Sequence, residues 1–210
     1  MNQETIYHKN TIEFATVAKE YCAFIEQVQS AEKDDFVKKS LKILPLLYLK
    51  ASMLPEVEYM LDEDTETYVS EELYEYVRSL IGSVMADSDT YLEVFTQDMQ
   101  YSENPIQENV SEAMADIYQD LRDFIYVYGM GFDETMNDAL ARCIENFRTY
   151  WGQKLVNVLR QLHNVAYTET DDDDDNFDSQ IGSDNANRLF DNQKNASTID
   201  DESDEWSKWG

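Results

Sequence analysis

Four acids stand in register between residues 112 and 123. Glu112, Asp116, Asp120 and Asp123 fall at i, i+4, i+8 and i+11, a spacing that gathers them on one face of an α-helix. Like charges a turn apart cost some 0.2–0.5 kcal/mol per pair on an isolated helix, so something must offset the repulsion. Two chemistries fit. Basic side chains from a neighbouring helix can pair with the row, and Arg142, Arg148, Lys154 and Arg160 supply them. Alternatively, Asp116 and Asp120 can hold a hard divalent cation such as Mg²⁺, with waters filling its octahedron. The second arrangement would suit a Mg²⁺-dependent hydrolase of a nucleotide or other phosphate, in the manner of the all-helical pyrophosphohydrolases. Their paired Glu-x-x-Glu and Glu-x-x-Asp segments are not clearly present. Ion pairing is the expectation, with no cofactor and no catalytic residue.

Other chemistries lack their parts. A di-iron bundle needs Glu-x-x-His on two helices, and the only histidines, His8 and His163, are not preceded by such a Glu. The run Asp171 to Asp175 has neither the Gly nor the Glu of a calcium loop. No P-loop, dinucleotide fingerprint or nucleophile elbow is present. Cys22 and Cys143 lie far apart within apolar helical patterns, with no Cys-x-x-Cys. They read as buried thiols in a reducing cytoplasm.

Two features suggest interaction. Lys33, Lys38, Lys39, Lys42 and Lys50, against Asp34 and Asp35, make a basic island on an acidic protein. The C-terminus ends with five acids between Asp200 and Glu205, followed by Trp206 and Trp209. Charge of that kind steers an encounter and large aromatics anchor it. The segment therefore reads as a docking peptide for a basic or grooved partner, with fold-back onto the basic island as the internal alternative.

These groups need helices to position them, and helical periodicity recurs from residue 10 to 166. Asn10 and Glu13 make a capping box before a stripe of Phe14, Val17, Tyr21, Phe24 or Ile25, and Val28. A second helix runs from Asp34 or Asp35 to Met53, and Pro45 should kink or break it. Residues 56–69 read as an acidic connection. Ser70 caps the next helix, with Leu73, Val77, Leu80 and Val84 inward. Tyr91 to Phe95 is a short element and Tyr101 to Asn109 a loop. Ser111 caps the helix that carries the acids, with Ala113, Ile117, Leu121, Phe124 and Tyr128 inward. Gly129 and Gly131 end it. From Asp133 a long helix carries the stripe Leu140, Ile144, Phe147, Trp151, Leu155, Val158, Leu162, Val165. Gly152, beside that stripe, would let another backbone approach closely.

The whole is expected to be all-α: a single multi-helix bundle of about five to seven helices over residues 1–167, with no sheet. A disordered acidic tail follows over 168–210, because its composition cannot bury enough surface to order it. Six glycines and three prolines in 210 residues are too few for a turn-rich β fold. The net charge of −28 repels phosphate backbones and anionic lipid. Direct nucleic-acid binding is thereby disfavoured, while basic protein partners, and mimicry of a nucleic acid, stay open. The N-terminus has no apolar signal segment. The longest apolar run, Ile43 to Leu49, is far short of the ~20 residues of a membrane span.

Several of these segments follow a familiar order: Ile43-Leu44-Pro45-Leu46-Leu47-Tyr48-Leu49, Tyr91-Leu92-Glu93-Val94-Phe95, Ala115-Asp116-Ile117-Tyr118-Gln119-Asp120-Leu121, and Phe147 to His163. Over about residues 12–165 the chain resembles the uncharacterised bacterial helical family called domain of unknown function 5063. The resemblance implies a helical fold and a bacterial cytoplasm, and it supplies no activity. Histidines commonly flank the Trp-Gly pair of the family's last helix; here those places hold Tyr150 and Lys154, so any histidine chemistry would be lost. The resulting expectation is a cytoplasmic, non-enzymatic interaction or regulatory module with a protein partner. The Mg²⁺ hydrolase and the acidic nucleic-acid mimic stand as alternatives.

Overall fold

The helix that carries the acid row, α5 (Val110–Gly129), is wrapped on several sides by others. Its apolar residues do not stay on one stripe. Ala113, Ile117, Leu121 and Phe124 are buried as the periodicity predicts, but so are Val110, Met114, Ala115 and Tyr118. A helix apolar nearly all round belongs in the middle of a bundle. In this computed structural model, which describes residues 3–61, 66–92 and 107–168, α5 packs against α2 (Lys9–Glu26), α4 (Glu71–Met85), α6 (Asp133–Asn146) and α7 (Gly152–Tyr167). The helix α3 (Lys33–Ser52) lies against α2 and α7, and the single turn α1 (Gln3–Ile6) against α6. The chain divides after Thr168, and the tail beyond it, with Trp206 and Trp209, lies outside the described residues.

The fold class is all-helical as expected, with one exception. Thr90–Leu92 (β1) pairs antiparallel with Gln107–Asn109 (β2), Tyr91 opposite Glu108. The expectation of no sheet is corrected by this minimal ribbon. Its two strands close the connection between α4 and α5, and Tyr91 is buried there.

Several helix ends also differ, each for a local reason. At α2 the cap is His8, whose Nδ1 accepts from the Asn10 amide; the Asn10 side chain instead donates to the Met53 carbonyl at 2.9 Å. Ser70 caps α4 as expected, accepting from the Leu73 amide. The buried line of α4 is Val77, Ile81 and Met85, with Leu73, Leu80 and Val84 beside it, one position round from the predicted stripe. Ser111 does not cap α5 with its own side chain. Asp89, distant in sequence, accepts from both its amide and its hydroxyl at 2.7 Å. Gly131, at φ +80°, follows the end of α5 in the left-handed conformation that glycine tolerates.

Of the kink or break expected at Pro45, the break does not occur, and α3 runs through it. A proline inside a helix removes one hydrogen bond and crowds the preceding turn, about 3 kcal/mol. Here Phe36, Val37 and Leu44 before it, and Leu47 and Ala51 after it, are buried and hold both halves against the core.

The long C-terminal helix is continuous in path but not in pitch. Between α6 and α7, Phe147–Trp151 forms a wide π turn, closed by the Gly152 amide on the Phe147 carbonyl. Trp151 is fully buried, with its indole N–H on the Cys143 carbonyl at 3.3 Å, while Phe147 is only partly buried. Gly152 does permit a close approach, though not by another helix. A Cβ there would overlap the Phe147 carbonyl oxygen and lie 2.9 Å from its ring. Gly152→Ala should therefore destabilise the protein by about 1–3 kcal/mol. In thermal unfolding that is a fall of roughly 2–4 °C per kcal/mol, and an unchanged melting temperature would show that the π turn does not depend on the missing side chain.

Candidate functional site

Burial of α5 decides what the acid row can do. Asp116, only 7% exposed, is surrounded by donors. The Tyr74 hydroxyl from α4 donates to its Oδ1 at 2.8 Å, and the Tyr150 hydroxyl from the π turn donates to Oδ2 at 2.8 Å. From α7, the Lys154 ammonium sits 2.6 Å from the same Oδ2. One carboxylate thus ties four elements together.

The protonation states follow. Burial pushes the Tyr74 and Tyr150 hydroxyls up, and the hydrogen bond to Asp116 adds to it; Tyr150 reaches about 12. Burial alone would lower Lys154, but the hydrogen bond and charge of Asp116 outweigh it and the net shift is upward. At neutral pH both phenols are therefore neutral donors and the lysine is a cation. The three donors hold the Asp116 side chain in place.

The remaining acids separate. Glu112 is exposed. Asp120 accepts from the Asn146 amide, with Arg142 nearby. Burial pushes its pKa up to about 6, against the pull of Asn146 and Arg142 and with some help from Asp123 and Asp116. Asp123 accepts from the Tyr68 and Val69 amides at 2.7 and 2.8 Å. Of the four cations expected to pair with the row, Lys154 pairs with Asp116 and Arg142 lies near Asp120 and Asp123. Arg148 faces Glu56 at 3.6 Å, and Arg160 donates to the Leu92 carbonyl. Asp116 and Asp120 are held by separate donors. Among the described residues no group of three or more His, Cys, Asp or Glu could hold a metal ion.

Asp138, which sequence reasoning missed, does equivalent work on the other side. It is fully buried in α6 and accepts from the Met60 and Leu61 amides at 2.7 and 2.8 Å. With Asp123 it pins the acidic connection as a strap across the bundle. Asp138 sits beside Ala139, Leu140 and Ala141, and nothing in its spacing marks it. Tyr74 and Asp89 were missed for the same reason, since their partners come from other helices. Cys22 and Cys143 are free buried thiols, pushed up in pKa by burial, Cys22 to about 12.

The basic island divides as well. Lys33 donates to the Ser88 hydroxyl and Lys50 to Glu13, both at 2.7 Å, and Lys38 lies 3.9 Å from Asp34. Lys39 and Lys42 are exposed, with no ion pair among the described residues. Continuing from them along the same face of α3 come Leu46, Leu49 and Met53, which are 43%, 52% and 44% exposed. Steps of three and four place all five on one line. That line is half cationic and half apolar, and points away from the core.

A model of the family described as domain of unknown function (DUF5063) matches residues 5–168. The chain is also similar to a crystal structure of protein BF1032 from Bacteroides fragilis. They share 51% identity and a TM-score of 0.71, over 80% of this chain and 98% of that one. The comparison with curated proteins gave no match. Tyr150, next to Trp151, and Lys154, two residues beyond Gly152, both reach Asp116.

Asp120 gives a pH signature. Its pKa is higher in the fold than the ordinary 3.8, so the folded chain holds that proton more tightly. The stability this confers is present at acid pH and is lost as pH rises through about 6. Asp120→Asn cannot titrate. The stability difference between variant and wild type should move in the variant's favour by on the order of 1–2 kcal/mol between about pH 4 and about pH 7.5. A pH-independent difference in urea unfolding would refute the assignment.

Proposed function

We propose that this chain, which belongs to the DUF5063 family, is a non-enzymatic interaction module that receives an acidic, amphipathic segment of a partner protein along α3. The observation that carries this reading is the line Lys39, Lys42, Leu46, Leu49, Met53 on the outer face of a long helix. Apolar residues at i, i+3, i+7 are what a helix or extended peptide uses as its docking stripe. The line spans about 21 Å, some four helical turns. A segment that fits would place acids against Lys39 and Lys42, with Lys38 beside them, and large apolar residues against Leu46, Leu49 and Met53. The overall charge of −28 opposes nucleic acid as the occupant.

Two further elements belong to the same reading. The C-terminal residues Trp206 and Trp209, with the acids before them, make a docking peptide for a basic or grooved partner; this rests on sequence alone. The compartment is the cytoplasm, which two free buried cysteines support. Among the described residues no helix is long and apolar enough to cross a membrane.

A photoreactive residue at position 49 of the full chain, introduced in its own cells, tests the surface. The expected result is one discrete adduct that maps to an acidic amphipathic segment of another protein and is lost in Lys39→Glu/Lys42→Glu. Adducts spread over many proteins, an adduct to another copy of this chain, or equal yield from a control site at Glu72 would each overturn it.

This reading assigns no cofactor and leaves the acids of α5 to the fold. Calorimetric titration with Mg²⁺ or Mn²⁺ should show no micromolar binding. Binding at that level that disappears in Asp116→Asn would put the phosphate hydrolase first instead.

A further inference from the structure

Two carboxylates hold the strap between α3 and α4, and what they hold differs. Asp123 accepts from the Tyr68 and Val69 amides. Packing accompanies that pin: Val69 is buried, and Tyr68 lies against Tyr126 with the Arg122 guanidinium over its ring. Asp138 accepts from the Met60 and Leu61 amides in the same way, yet their side chains stay 46% and 37% exposed. Asp138 is itself fully buried. A carboxylate taken out of water costs several kcal/mol unless donors meet it, and here its donors are backbone groups whose side chains add little to the core.

The neighbouring residues are fixed as well. The Asn137 side-chain amide donates to the Glu58 carbonyl at 2.7 Å, and the Tyr59 hydroxyl donates to Glu145 at 2.8 Å. Each of residues 58–61 is thus tied to α6 by a hydrogen bond, while Tyr59, at 51% exposed, joins Met60 and Leu61 in contact with water. Scattered exposed apolar residues are ordinary. Three in a row on a backbone held from beneath are what a binding surface needs. A segment already ordered loses less freedom when a partner arrives, and Tyr and Met are enriched where proteins meet. Charge selects the partner. Residues 56–66 hold six acids and no Lys or Arg, and Arg148 reaches one of those acids, Glu56, at 3.6 Å.

We infer that residues 58–61 are a preformed docking element, presenting Tyr59, Met60 and Leu61 to an apolar cleft bordered by lysines or arginines on a partner protein. The apolar side chains anchor the contact and the surrounding acids steer it. This surface shares no residue with the outer line of α3 and selects the opposite charge, so neither depends on the other.

A photoreactive residue at position 58 of the full chain, introduced in its own cells, keeps all three anchors and tests the contact. The expected result is one discrete adduct, mapping beside an apolar cleft with Lys or Arg at its border. Its yield should fall about tenfold in Met60→Ser/Leu61→Ser, with little change in melting temperature because neither side chain belongs to the core. The yield should be unchanged in Lys39→Glu/Lys42→Glu. Hydrogen exchange reads the preformed state directly: in the free chain the Met60 and Leu61 amides should exchange at least about tenfold more slowly than in an unstructured peptide. Exchange at the unstructured rate, an adduct to an acidic segment or to another copy of this chain, equal yield from a control site at Glu20, full yield in Met60→Ser/Leu61→Ser, or loss in Lys39→Glu/Lys42→Glu would each overturn the proposal.

Discussion

The fold turns on the burial of α5. Once a helix is enclosed by four others, any charged group facing its neighbours must be met by donors from them, because an isolated buried carboxylate is very costly. Asp116 is the sharpest case. Its three donors come from α4, the π turn and α7, so these elements must arrive together and in one register. Asp123 extends the rule to irregular backbone, where two amides of the strap have no helical partner and find the carboxylate instead. Buried ion pairs add little net stability compared with a well-packed apolar alternative. What the carboxylates supply here is a fixed arrangement of the elements around α5.

The π turn is the clearest consequence. One extra residue in a helix sacrifices good hydrogen-bond geometry and survives where something offsets it. Here Trp151 enters the core completely while Tyr150, its immediate neighbour, reaches Asp116. Lys154, a turn further along, reaches the same oxygen. Gly152 supplies the space in which the Phe147 carbonyl turns inward. Aromatic packing and carboxylate satisfaction thus meet in one short segment, the same one that carries the Trp-Gly pair.

Much of this was legible in the sequence, and what was not has a common cause. Periodicity located the helices because a half-buried helix repeats its apolar residues every three or four positions. It underestimated α5, since a stripe reading assumes one buried face, and so it offered the acids only the basic side chains of the long helix as partners and missed the tyrosines and backbone amides that surround them. Ser70 was readable as a cap because its bond is local; Ser111 was misread because its partner, Asp89, comes from beyond the β ribbon. The π turn left no clear trace in a stripe whose steps all remained three or four, because two successive fours, Phe147 to Trp151 to Leu155, also occur in an ordinary α-helix. Lys154 appeared among the candidate partners for the acids, whereas Tyr74 and Asp138 carried no sign of theirs. The basic island was visible in composition, but nothing in the run Ile43 to Leu49 reveals which of its members turn outward to continue that island.

That outward turn matters because of the charge around it. With 44 acids to 16 cations, a lysine on this protein has acids in excess to pair with, and Lys50 and Lys154 each pair with one. Lys39 and Lys42 have no ion pair among the described residues, yet they lie on a face where Leu46, Leu49 and Met53 also remain in water. Single exposed apolar residues need no explanation. An ordered line of them continuing a line of lysines is different, since both halves would gain from the same kind of occupant. An acidic amphipathic segment neutralises one half and covers the other. The surrounding negative surface would repel such a segment elsewhere, so on the proposed reading the charge that disfavours most acidic partners would also confine an accepted one to the Lys39–Met53 face.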